Sequence, residues 1–463
     1  MRHLKFFLLP LLIIFYSQIP SVSQELSTLS PNGKLRVTFL LNNGIPYYIV
    51  TREADVIIKP SRMGFEFKNG ASLRDNFILV SSQKSVFDDT WTQPWGEVKN
   101  IRNHYNELTV NLQQKDNQQR NLNIIFRIFN DGVGFRYHFP EQAHIDSFEI
   151  MNELTEFKFM KNHDSWWIPA YRDNRYEYLF TKSEINEIDT VHTPLTMQTH
   201  GGLYLCIHEA NLTDYASMTL FRSGKNTLGC DLVPWSDGVK VKAQTPFVTP
   251  WRTIQIADSP GGLITSYLVL NLNEPGKIED TSWIRPGKYI GIWWGMHLGK
   301  YTWSPGRRHG ATTENTKRYI DFAARHGFYG VLVEGWNLGW NGNWYDNGDR
   351  FNFTTPYPDF DIKELAQYAN KKNVDLIGHH ETGAGVKNYE RQLEDAFAFY
   401  DQLGIHTVKT GYVGTRADKT EWHHSQYMVR HYRKVVETAA KYHITLDVHE
   451  PIKDTGIRRT WPN

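Results

Sequence analysis

Cysteine is nearly missing from this chain: Cys206 and Cys230 are the only two in 463 residues. That excludes a thiolate-held zinc or iron–sulfur centre and leaves room for one disulfide or two buried thiols. Net charge is almost nil at +1, so the electrostatic basis for a nucleic acid or anionic membrane partner is lacking. No glycine-rich phosphate loop appears, because Gly383-Ala384-Gly385 follows a predicted strand without the third glycine. Long apolar runs are confined to the beginning. There Arg2, His3 and Lys5 precede an apolar core over 6–16 and the small-residue site Ser21-Val22-Ser23. The core is too short to span a bilayer, and residues 1–23 read as a secretory leader. A periplasmic or secreted protein without a membrane span is expected.

What the chain does have is aromatic residues, with 15 Trp and 24 Tyr. Cores and sheet faces account for most of them, and the remainder are candidate platforms for the C–H faces of sugar rings. Residues 24–275 read as all-β. Leu122, Ile124, Phe126 and Ile128 fall on one face of a predicted strand, and turn formers such as Asn42-Asn43-Gly44 and Asn130-Asp131-Gly132 separate such strands. So many short strands predict a large sandwich.

From 276 to 463 the period changes. Predicted strands at 289–294, 329–333, 374–382, 405–410 and 443–448 alternate with helical patterns at 314–326, 362–370, 388–403 and 425–442. This alternation implies right-handed βαβ units and a parallel sheet. A closed barrel of this kind needs eight strands. The fold expected is multidomain, β plus α/β: a large N-terminal β-sandwich, then an incomplete (β/α)8 TIM-type barrel cut off after its fifth strand.

The third and fifth strands end in chemistry-bearing residues, His379-His380-Glu381-Thr382 and His449-Glu450-Pro451. Catalytic groups of such barrels sit at the strand C-termini, and a carboxyl pair there suits glycosidic bond hydrolysis. Adjacent strand residues point to opposite faces, so His380 and Glu381 cannot both turn inward. That argues against a His-Glu transition-metal site and favours the rim histidines, among His379, His380 and His449, as donors to substrate hydroxyls. Lys409 ends the fourth strand as a solvent-facing residue or a hydroxyl donor. Gly411, two residues on, supplies no carboxylate nucleophile. Glu334 and Trp336 end the second strand, Trp293 and Trp294 the first, with one of this last pair in the core and one at the rim. The segment 340–349 reads as an aromatic binding loop, since its spacing does not match a calcium-binding helix-loop-helix.

Together these motifs, with Asn388-Tyr389-Glu390-Arg391, Val408-Lys409-Thr410-Gly411-Tyr412-Val413-Gly414, Ser30-Pro31-Asn32-Gly33, Tyr176-Glu177-Tyr178-Leu179 and His208-Glu209-Ala210, resemble glycoside hydrolase family 97. The resemblance implies an N-terminal β-super-sandwich, a catalytic (β/α)8 barrel, an active-site calcium ion and an oligosaccharide substrate, and fits a monomer or homodimer. It divides the family into inverting α-glucosidases and retaining α-galactosidases, the latter carrying an aspartate nucleophile where this chain has Gly411. By the same resemblance Glu381 and Glu450 act as general base and hold the attacking water. Glu450 and a sandwich-domain glutamate, placed at Glu177 with Glu187 as second choice, bind calcium. His379, Lys409, His449, Glu334, Trp336 and Trp294 are the expected sugar contacts. The family's general acid and another calcium-binding glutamate fall after the position of Asn463, so an impaired inverting α-glucosidase is expected. A retaining α-galactosidase and a non-catalytic carbohydrate-binding remnant are the alternatives.

Overall fold

The computed structural model describes residues 23–70, 72–173 and 176–463. The expected leader lies outside these residues except for Ser23, which opens the first strand, Ser23–Leu29. Among the described residues no helix is long and apolar enough to cross a membrane.

The first part is all-β. Ser23–Leu29, Leu35–Asn42, Ile45–Arg52 and Asp55–Arg62 form a four-stranded antiparallel sheet. A ten-stranded sheet packs against it, with smaller three- and four-stranded sheets alongside. Alternation decides which side chains go inside. Leu122, Ile124, Phe126 and Ile128 are fully buried in one core with Val37 and Phe39 of the facing sheet, and Tyr48 meets Phe135 across the sheets at 4.6 Å. Cys206 and Cys230 are buried and free. Burial pushes the Cys206 thiol up to about 12, so both behave as small apolar residues.

The second part is a five-stranded parallel sheet in sequential order: β1 (Tyr289–Gly291), β2 (Gly330–Leu332), β3 (Asp375–Glu381), β4 (Thr407–Gly411) and β5 (Thr445–Val448). Its helices are α1 (Thr313–His326), α2 (Ile362–Lys371), α3 (Val386–Gln402) and α4 (Gln426–Lys441). Local signals set their ends. The Thr312 side chain accepts from the amide of Asn315, and Gly327 closes α1 at φ 69°. The Asp361 carboxylate caps α2 by accepting from the amide of Glu364. The sheet curls without closing. The Tyr289 hydroxyl donates to the Asp447 carboxylate, so inward side chains of the first and fifth strands meet although their backbones do not pair.

One predicted strand is shorter than its pattern suggests. β1 stops at Gly291, and Trp293–His297 forms a helical turn. The Trp293 indole folds back over Gly291, where any Cβ would overlap the ring.

A second close approach fixes β3. The ring of Tyr400 on α3 lies 2.5 Å from where a Gly378 Cβ would stand, and its hydroxyl accepts from the His379 amide at 2.9 Å. Gly378→Ala is therefore expected to destabilise the fold by about 1–3 kcal/mol through overpacking. Urea unfolding of the two proteins measures this, and an unchanged midpoint would show that β3 can shift freely against α3.

Candidate active site

Parallel register stacks the inward side chains in layers. His379 of β3 lies opposite Lys409 of β4, which lies opposite Asp447 of β5; one layer higher, Glu381 lies opposite Gly411. Side-chain alternation sends His380 the other way. It packs beneath α3, bonding the Tyr389 hydroxyl at 2.9 Å and stacking on Tyr400.

In the lower layer Lys409 donates to Glu334 at 3.0 Å, and His379 Nε2 stands 3.8 Å from the same carboxylate oxygen. Trp303 Nε1 donates to the other oxygen at 3.0 Å. Burial alone would raise the Glu334 carboxyl; the neighbouring His379 and Lys409 and the bonds donated by Trp303 and Lys409 outweigh it and hold it below the usual range. Burial pushes His379 down to about 4, so at neutral pH it is an uncharged imidazole. Its ring stacks on Trp340 at 5.8 Å, and Trp344 bridges Trp340 and Trp303 at 4.7 and 5.8 Å. The 340–349 loop thus lays an aromatic wall beside Glu334.

In the upper layer Glu381 is 4% exposed. Its Oε1 accepts from the amides of Gly383 at 2.7 Å and Val413 at 3.2 Å. Burial and then the neighbouring Glu450 push it up to about 8, against a usual 4.5. Glu450 follows β5 in a left-handed conformation, φ 53°. Its Oε2 accepts from the Tyr412 amide at 2.8 Å, and its Oε1 meets His449 Nδ1 at 2.6 Å. That bond raises the His449 imidazole. Glu381 Oε2 occupies the space where a Cβ on residue 411 would be, so only glycine fits opposite the carboxyl as it stands.

Glu450, His449 and Glu177 line one cavity of about 970 Å³ between the sandwich and the open edge of the sheet. Glu381 and Glu334 do not line it. Glu187, the second choice for the sandwich ligand, caps a short helical turn by accepting from the Glu184 amide at 3.2 Å and is not in the cavity wall. Calcium prefers carboxylate and carbonyl oxygens, and the carboxylates of Glu450 and Glu177, with Glu381 coupled to Glu450, fit it in kind. Among the described residues no three acidic or histidine side chains converge closely enough to enclose an ion.

Two expected contacts are placed differently. Trp336 is 1% exposed, stacked on Phe399 at 6.2 Å, with Nε1 donating to the His379 carbonyl at 3.1 Å. It braces β3 from behind and offers no face to a sugar. Trp294 is 63% exposed beside His297, whereas Trp293 faces inward, its ring centre 5.4 Å from Lys409 Nζ. Trp303 was missed because it lies in a loop with no periodic pattern, its tryptophan being the only signal.

Carboxyl groups carried on the ends of parallel strands, beside an aromatic wall, are the equipment of a glycoside hydrolase. The chain belongs to glycoside hydrolase family 97: the family model described as Glycosyl-hydrolase 97 N-terminal matches residues 29–275, and that described as Glycoside hydrolase 97 matches residues 293–463. A glycoside hydrolase family 97 enzyme from Pseudoalteromonas sp. strain K8, solved in complex with acarbose, is 46% identical with a TM-score of 0.92, covering 94% of this chain and 68% of that one. A variant of the same enzyme in complex with panose gives the same values. The retaining alpha-galactosidase of Bacteroides thetaiotaomicron is 26% identical over 100% of this chain and 69% of its own length. The probable retaining alpha-galactosidase of Streptomyces bingchenggensis is 23% identical over 89% of this chain, which spans 60% of that protein.

The raised Glu381 carboxyl makes a pH prediction for chelator-treated protein. A group binding its proton more tightly in the folded state contributes stability in full below its unfolded value, near 4.5, and loses it as pH rises toward 8. Glu381→Gln is expected to flatten this decline and melt at a higher temperature than the parent at pH 9. Equal melting temperatures at pH 9, with parallel pH profiles, would contradict the burial argument.

Proposed function

We propose that this chain carries the water-activating side of the active site of an exo-acting, calcium-dependent, inverting α-glucosidase acting on malto-oligosaccharides. The observation that carries this reading is the space at Gly411. A covalent nucleophile at the end of β4 and the Glu381 carboxyl in its present position exclude each other. Glu381, held on the amides of Gly383 and Val413, is then the base, with Glu450 beside it to orient water. Attack by a water on that face, without a covalent intermediate, inverts the anomeric carbon.

Glu450 and Glu177 would hold calcium, whose charge would oppose the burial and the Glu450 repulsion that together raise the Glu381 carboxyl. Glu334 and Lys409 are mutually satisfied at 3.0 Å, which holds both side chains rigid beneath the sugar; neutral His379 and the rim imidazole of His449 supply hydroxyl partners. Export, supported by the leader read at 1–23, would put the reaction outside the cytoplasm.

Glucose over galactose is supported by the 46% identical enzyme, whose bound panose is an α-linked glucose trisaccharide. The names of the 26% and 23% identical relatives favour the second reading, a retaining α-galactosidase. The informative substrate for the role of Glu381 is one whose leaving group needs no proton. α-Glucosyl fluoride is expected to be hydrolysed in the presence of calcium and α-galactosyl fluoride not. Glu381→Gln should lower the rate by about 10²–10⁴-fold, as for loss of a general base. Preference for the galactosyl fluoride, or an undiminished rate in Glu381→Gln, would overturn the proposal; sugar binding without turnover would indicate a binding remnant.

A further inference from the structure

The sandwich contains a fully buried charge cluster that the fold alone does not require. Arg252 donates to Glu153 through Nε at 2.8 Å and Nη2 at 2.6 Å, and to Glu209 through Nη1 at 2.7 Å. All three side chains are wholly inaccessible to water. Tyr215 donates to Glu153 at 2.9 Å; Ser217 and the Met218 amide donate to Glu209 at 3.0 and 2.9 Å. Every polar atom of the two carboxylates is therefore engaged, yet two carboxylates and one guanidinium leave a net charge of −1 in a dry interior. An unbalanced buried charge is among the most destabilising features a protein can carry.

The missing positive charge comes from the other domain. Lys453, three residues after Glu450, reaches into the sandwich and stands 3.1 Å from Glu209, its side chain 5% exposed. Its remaining protons go to the Thr193 hydroxyl and the Met218 carbonyl. The next residues are gripped as well: His208 Nε2 bonds the Asp454 carbonyl at 2.8 Å, and the Asn211 amide donates to the Thr455 carbonyl at 2.9 Å. Upstream of this anchor the chain has only Pro451 and Ile452 before Glu450, whose left-handed φ of 53° is costly for a non-glycine residue. A strained conformation persists when its surroundings over-determine it. Here the Tyr412 amide holds the Glu450 carboxylate from β4, and the Tyr432 hydroxyl holds its carbonyl at 2.8 Å from α4.

We propose that Lys453 is a positioning residue: by completing the buried Glu153–Arg252–Glu209 cluster it ties the segment after β5 to the sandwich and holds Glu450 against the Tyr412 amide. The sandwich then acts on catalysis through a charge it lacks. This rests on the function proposed above for Glu450, and the test separates the two.

Lys453→Met removes the tether and also strands the negative charge, so it lowers stability whatever its role. The double variant Lys453→Met/Glu209→Gln removes the tether while restoring neutrality. Two readouts are taken on the full chain with calcium: hydrolysis of α-glucosyl fluoride, and hydrogen exchange of the peptide containing the Tyr412 amide. The double variant is expected to regain most of the melting temperature lost in Lys453→Met. It should keep a kcat reduced at least about tenfold with KM nearly unchanged, the pattern of a misplaced group rather than lost binding. Exchange at Tyr412 should rise in both variants, with exchange in the sandwich core restored in the double variant. Recovery of kcat and of Tyr412 protection together with the melting temperature would overturn the proposal, leaving the cluster a purely structural one. An unmutated chain inactive on the fluoride would count against the function proposed above, while the exchange measurement would still decide the role of Lys453.

Discussion

Everything at the site follows from two carboxyl groups, Glu381 and Glu450, held next to each other with little water. Each is fastened by backbone amides: Gly383 and Val413 for Glu381, Tyr412 for Glu450. Amide donors favour the ionised form, whereas burial and the paired charge favour the neutral one, and for Glu381 the second pair wins. Under the proposed function a bound cation or substrate tips that balance toward the ionised form. The same crowding explains Gly411. Its missing side chain is the space into which Glu381 fits.

The rest of the molecule is organised to keep that pair in place. From below, the Glu334–Lys409 pair, the His379 ring and the Trp303–Trp344–Trp340 wall form a rigid floor. From behind, Trp336 and Tyr400 fix the backbone of β3 through its His379 peptide groups. From the side, the sandwich contributes Glu177 to the cavity that Glu450 lines, and through Glu209 it grips the segment that carries Glu450. The β domain is thus a wall and an anchor of the site.

Much of this could be read in the sequence, because period and register are geometric. Alternation of two along β3 is enough to separate inward His379 and Glu381 from outward His380, and the switch from strand patterns to strand–helix alternation is enough to announce five parallel strands. The empty position at Gly411 was visible as the absence of a nucleophile, but its cause, an oxygen of Glu381 in the same space, belongs to tertiary packing. Tryptophans were the hardest residues to place. Trp336 follows a strand end as a stacking residue would, yet the chain folds it under α3. Trp293 and Trp294 were assigned to a strand that Gly291 ends early, and the helical turn that follows aims Trp293 at Lys409 and leaves Trp294 exposed. Trp303 and Lys453 lie in irregular segments, where no periodicity indicates what a side chain will meet.

In the proposed function water attacks directly, with Glu381 as base and nothing covalent at Gly411. Proton NMR of the sugar first released from α-glucosyl fluoride, recorded before mutarotation, reads this out. β-Glucose is the expected initial product. Initial α-glucose would mean retention through a covalent intermediate and would contradict the proposed function.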